Sequence, residues 1–233
     1  MSVKISIHFN IIIRMETLSQ TLNSHPGKRV LLLLGVFVLA LTTANILGSK
    51  ITTLFGVSVS VGIFTYPFTF VVTDIIEEVY GKALSKQFLM VGVVALVLLF
   101  ALVALSVALP AAERFADGAA AYDSTFTHSM RFIFASLVAF AVSQFHDVWA
   151  FGFLKKKTNG KMLWLRNNLS TWISQSIDTL LFMFLAFYHL TDKFTTGYVL
   201  ELSLTYLAFK IAFAILDTPL VYAGVRWLRA GTK

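Results

Sequence analysis

The chain has 233 residues and a formal net charge of +7, is 57% hydrophobic, and is only 13% charged, about half the charged share of a soluble globular domain. That balance excludes an ordinary soluble domain and leaves length for around six bilayer crossings at about 20 apolar residues each. It contains no cysteine, which removes disulfides, thiolate nucleophiles and thiolate metal sites, and no His-x-x-x-His spacing replaces them, so neither a metal nor another cofactor is expected.

In chain order, residues 1–28 read as a cytoplasmic N-terminal segment. There "ISIHFNIII" is interrupted by His8 and Asn10 and lacks a signal-peptide cleavage site, Met15 stands as an alternative start, and "SHPGK" is a turn-like approach to the membrane. Apolar runs follow at 30–47, 57–72, 88–109, 132–154, 169–190 and 199–223. The expected fold is all-α, a polytopic bundle of six transmembrane helices over residues 29–226, with a cytoplasmic tail at 227–233. The second run is short and must continue into "TDIIEEVYGK" to span, which sets Asp74, Glu77 and Glu78 on one helix face at the cytoplasmic side. "PAAERFADGAAAYDST", from Pro110, reads as an outer loop with one helical turn. Pro67 and Pro219 each remove a backbone donor within a crossing and are expected to kink or open it.

Most of the 19 Lys and Arg, Lys155, Lys156, Lys157, Lys161 and Arg166 among them, fall on one side of these alternating crossings. The positive-inside rule then places both termini and the "KKKTNGK" loop in the cytoplasm, and it accounts for the basic balance without a nucleic-acid partner. Oligomeric state is left open, homo-oligomers included.

Ionisable groups inside crossings cost about 2.5 to 3.5 kcal/mol each at mid-bilayer and therefore face a bundle interior or a wet cavity. Ser143-Gln144-x-x-Asp147 and Ser174-Gln175-x-x-Asp178 repeat one pattern on the fourth and fifth crossings, each setting an amide and a carboxylate on a common face. Lys210 and Asp217 in the last crossing are candidates to neutralise these acids or each other. Ala40 and Ala44 form a small-xxx-small pair suited to close helix packing. No phosphate loop is present, and on a helix Asp147 points away from a Ser143–His146 pair, so catalysis is not expected and no catalytic residue is assigned.

"TDIIEEVYGK", "SQFHDVWAFGFLKKKTNGKMLWLRNNLSTWISQSIDT" and Asn45 in "ANILGSK" resemble the queuosine precursor transporter family of bacterial inner membranes, over about residues 30–225. The resemblance implies six crossings and import of the deazaguanine bases, 7-cyano-7-deazaguanine foremost, used to make the tRNA nucleoside queuosine. A guanine-like base presents an N–H and an amine on one edge, which a carboxylate accepts in bidentate fashion, and a carbonyl that suits an Asn or Gln amide. The expected substrate-binding residues are Asn45, Asp74, Glu78, Gln144, Asp147, Trp164, Arg166, Asn167, Gln175 and Asp178, with Tyr66, Phe70, Tyr80, Trp149 and Trp172 also available for stacking. The alternative reading is a substrate-capture subunit of an energy-coupling-factor type vitamin importer with separate ATPase subunits, which Ala40 and Ala44 would contact.

Overall fold

The computed structural model describes residues 25–54, 56–158 and 163–230; the rest of the expected N-terminal segment, the centre of the basic loop and the last three residues lie outside them. Its elements are α1 (His25–Leu47), a hairpin of β1 (Ile51–Leu54) and β2 (Val57–Ser60), a 3-10 turn (Val61–Phe64), α2 (Tyr66–Tyr80), α3 (Lys82–Ala108), a second 3-10 turn (Glu113–Phe115), α4 (Ala116–Lys157), α5 (Leu163–Phe187), α6 (Thr196–Leu216) and α7 (Thr218–Arg229). The protein is an all-α polytopic membrane protein carrying one small hairpin.

Gly27–Leu47, Lys82–Ala108 and Glu113–Leu154 are each long and apolar enough to cross a bilayer, and α6 with α7 forms a fourth candidate bent by 49°. α3 shows why. Its 27 residues rise about 40 Å, more than a hydrocarbon core of about 30 Å. Phe88, Leu96 and Val103 are buried, while Met90, Val94, Leu98, Leu102 and Leu105 crowd the outer surface. A helix that is apolar all round, with large side chains left uncovered, is built for lipid.

The second apolar run departs from a single helix. Residues 57–60 pair with 51–54 in antiparallel register, Ile51 opposite Ser60 and Leu54 opposite Val57, and Gly56 takes a positive φ of 82° at the turn. Ile, Thr and Val suit a pleated strand, and glycine adopts that backbone without strain. Pro67 therefore does not kink a crossing: it stands in the first turn of α2, where a missing N–H costs nothing. α2 is only 15 residues, about 22 Å, and it carries Asp74, Glu77 and Glu78 within it. Pro219 acts as expected, opening α7 just after α6 ends at Leu216.

Two further differences are local. "SHPGK" is already helical from His25, with Pro26 in the first turn of α1. The outer loop of the third connection is mostly the start of α4, because an alanine-rich stretch favours helix and Tyr122 meets Phe115 edge to face at 6.0 Å and Phe126 at a tilt at 4.4 Å. At 42 residues α4 runs about 63 Å, twice a hydrocarbon core, so its polar first turns extend past the bilayer.

Packing divides into two main clusters with space between them. Val59, Ile63, Phe132, Met183, Phe187, Val199 and Leu202 join the hairpin to α4, α5 and α6. Leu33, Phe37, Val72, Ile75, Ile76, Phe88, Val225 and Leu228 join α1, α2, α3 and α7. Arg131 ties the first cluster together by donating to the carbonyls of Leu185 (2.8 Å) and Tyr188 at the end of α5, where orphan carbonyls and the helix dipole favour a cation.

Candidate functional site

Between the clusters lies a cavity of about 390 Å³ with contributions from α1 to α6 and the hairpin. Its closed end is the junction of α1 with the hairpin. Ser60 Oγ donates to the Gly48 carbonyl at 2.6 Å and accepts from Gly62 N–H at 3.2 Å, while Tyr206 donates its hydroxyl to the Ser60 carbonyl at 3.4 Å. A Cβ at Gly48 would stand 2.5 Å from the Ala44 carbonyl oxygen of α1, the helix it follows, and 3.2 Å from the Phe132 ring, and one at Gly62 would stand 3.1 Å from that same oxygen and 3.5 Å from the Gly48 Cα, so two glycines let α1 and the 3-10 turn meet. Just above, Asn45 is 4% exposed; its amide donates to the Leu41 carbonyl at 2.9 Å, and its oxygen accepts from Ser136 at 2.6 Å.

Midway along the wall, Lys210 of α6 reaches α5. Its ammonium lies 3.2 Å from Asp178 Oδ2, 2.8 Å from Thr179 Oγ1 and 3.5 Å from Gln175 Oε1. It also sits over the rings of Tyr66 and Phe70, 5.6 and 5.9 Å from their centroids. Tyr66 and Phe70, one turn apart on α2, meet edge to face at 5.0 Å. Thus a carboxylate, an amide, a cation and two aromatic rings share one wall. The other end is lined by Asp74, Glu77 and Gln144, all with exposed surface, which marks it as the mouth.

Of the expected site residues, Asn45, Asp74, Gln144, Gln175 and Asp178 line this cavity. Glu78 does not line the cavity; it pairs with Arg229 at 3.2 Å in an exposed contact. Asp147 lies in the seam between α4 and α5, with Ser174 Oγ 3.5 Å from its Oδ1 and the same hydroxyl 2.9 Å from His146 Nδ1. Ser143 donates to the Phe140 carbonyl at 3.0 Å, so its hydroxyl is bound within its own helix. Trp164, Arg166 and Asn167 fall in the first two turns of α5, and their side chains lie outside the described residues. Among the stacking candidates Tyr66 and Phe70 line the cavity; Tyr80, Trp149 and Trp172 do not, and all three are exposed.

Sequence reasoning missed the hairpin end altogether, Ser60, Gly62 and Tyr206 included. The signal was present in the alternating "VSVS" after Gly56, but an apolar run of that length reads equally as helix. It left Lys210 open between the acids of the repeat and Asp217; the structure pairs it with Asp178, while Asp217 is buried where α6 gives way to α7. Among the described residues no cluster of three or more His, Asp or Glu could hold a metal ion.

No solved structure matches the chain. A protein named "Queuosine precursor transporter" from Escherichia coli (strain K12) is 27% identical over 178 residues, 76% of this chain and 77% of that protein. One named "Probable queuosine precursor transporter" from Bacillus subtilis (strain 168) is 28% identical over 200 residues, 84% of this chain and 85% of its own length. Residues 60–224, from the last hairpin residue to the middle of α7, match the family described as "Putative vitamin uptake transporter". A lipid-facing helical bundle around a polar, aromatic-walled cavity is what such a description requires, and the chain belongs to that vitamin uptake transporter family.

Proposed function

We propose that the chain carries a deazaguanine base, 7-cyano-7-deazaguanine foremost, across the bacterial inner membrane for queuosine salvage. The names and coverage of the relatives support the substrate class. The observation that carries the reading is the cavity wall on which Asp178 and Gln175 stand beside Tyr66 and Phe70. The carboxylate suits the N–H and amine edge of a guanine-like base, the amide its carbonyl, and the rings its flat faces. A volume of about 390 Å³ lies within the ordinary range for small-molecule sites.

In this reading the bundle crosses six times. The hairpin and α2 together make the second crossing, and α6 with α7 makes the last. Both termini and the 155–166 connection face the cytoplasm, in keeping with the basic asymmetry. The mouth at Asp74 and Glu77 then opens inward, and the hairpin closes the outer side. Transport without chemical alteration of the base is the activity, and no ATPase partner is required. Ala40 and Ala44, the candidate contact for such a partner, are buried inside the chain at 7% and 8% exposure.

The test is uptake of labelled 7-cyano-7-deazaguanine in a strain unable to make it and lacking any energy-coupling module, read as queuosine in tRNA at scarce external base. Expression of the chain should restore the modification. Equal modification with and without the gene would overturn the transport reading, and rescue only when ATPase subunits are supplied would favour substrate capture.

A further inference from the structure

The base proposed above is neutral, yet its site contains a fixed carboxylate, and this inference rests on that reading. A carrier that moves such a site past an apolar barrier must neutralise the charge in every state, because an unpaired buried carboxylate is strongly disfavoured. Many sites would need a proton or a sodium ion for this. Here a cation is already in place.

The ammonium of Lys210 has three donors, and three acceptors surround it: Asp178 Oδ2, Thr179 Oγ1 and Gln175 Oε1. Tyr66 and Phe70 present ring faces to the same charge. Its side chain is 16% exposed and that of Asp178 19%, so the pair is largely withdrawn from solvent. The arrangement is a cation-binding site filled by the protein's own side chain. Among the described residues Lys210 bonds only one of the two Asp178 oxygens, which leaves the other to accept from a substrate without breaking the pair.

The other ionisable groups on the cavity do not compete for this role. Asp74 and Glu77 project from α2 at the mouth with exposed surface, and the buried Asp217 at the break between α6 and α7 stands close enough to Asp74 to act on its charge. Tyr206 from α6 is buried, with its hydroxyl donated to the Ser60 carbonyl. Lys210 is the one basic side chain lining the cavity among the described residues.

We infer that Lys210 is a resident counter-cation in place of a coupling ion, so that the base moves down its own gradient without a proton or sodium ion. Accumulation in the cell then comes from a later step that consumes the base inside.

Purified full-length protein in proteoliposomes, given labelled 7-cyano-7-deazaguanine under imposed proton or sodium gradients, tests this. For the native chain, either gradient should change initial uptake by less than about twofold, because an ion without a site biases no state, and internal base should level off at the external concentration. Lys210→Arg keeps a cation and should be slower but still indifferent to both gradients. Lys210→Met leaves Asp178 to recruit a proton, so its uptake should rise with an inward proton gradient, by up to about tenfold per pH unit. Accumulation above the external concentration by the native chain under either gradient would overturn the inference while leaving the transport reading intact. So would Lys210→Met uptake as indifferent to pH as the native chain's. If Lys210→Met does not fold, the native and Lys210→Arg measurements decide. Absence of native uptake in every condition would instead bring down the transport reading itself.

Discussion

At the hairpin end of the cavity, polar groups satisfy one another. Ser60 bonds Gly48, Tyr206 bonds Ser60, Val61 N–H bonds the Lys50 carbonyl at 2.9 Å, and Val59 and Ser60 are almost wholly buried. At the acidic end Asp74, Glu77 and Gln144 keep exposed surface, and the ion pair beside them, Glu78 with Arg229, is about 60% exposed on each side chain. The first end is held by desolvated bonds and backbone contacts that allow no added atom; the second relies on water. A buried polar group that loses its partner cannot be rescued, whereas an exposed one is resolvated at little cost. Damage at the hairpin should therefore appear as lost folded protein, and damage near the mouth as changed transport or as nothing.

The sharpest expected effect comes from the wall between the two ends. Asp178→Asn should lower uptake per folded protein by roughly 2 to 5 kcal/mol, well over tenfold, because a charged acceptor for the substrate's donor edge is removed. Asp147→Asn, altered in the α4–α5 seam, should act mainly on the amount of protein in the membrane. Uptake normalised to abundance separates the two, and equal normalised uptake in both variants would return Asp178 to a packing role.

At the closed end, Gly48→Leu forces a side chain against the Ala44 carbonyl and the Phe132 ring. Overpacking of this kind costs about 1 to 3 kcal/mol or more. Thermal unfolding in detergent should show a lowered midpoint and reduced yield. A variant as stable as the native chain would mean that the hairpin junction gives way easily, and the contrast between the ends would fail.

A smaller change at the same place is Ser60→Ala. It removes the donor to the Gly48 carbonyl and the acceptor for Gly62 N–H, both buried, for about 1 to 3 kcal/mol of stability. The same melting experiment should rank it below Gly48→Leu in severity. The least effect is expected from Glu78→Gln at the open end, where an exposed pair with Arg229 contributes at most about 1 kcal/mol and is weakened by salt. Normalised uptake should be unchanged. A strong transport defect there would place Glu78 in the substrate path, as the sequence alone suggests.

Composition and hydrophobic run length determined by themselves that this is a helical membrane protein, and they located most of its helices. The reason is that lipid imposes one strong local rule: long apolar segments with their backbone bonds satisfied internally. The same logic singled out Gln175, Asp178 and Lys210, because a polar group in an apolar run is costly wherever it points, whereas Asn45 came from the family resemblance. Only the tertiary structure decided which of them meet. Two copies of Ser-Gln-x-x-Asp are alike in sequence, yet Asp178 faces the cavity and Lys210 while Asp147 faces the α4–α5 seam. Residues 57–64 are apolar enough for a helix but close the cavity as a strand and a 3-10 turn, because β1 is there to pair with residues 57–60 and Gly62 lets the turn approach the end of α1. Facing and pairing depend on partners distant in the chain, such as Lys210 for Asp178 and Tyr206 for Ser60, and no local pattern carries that information.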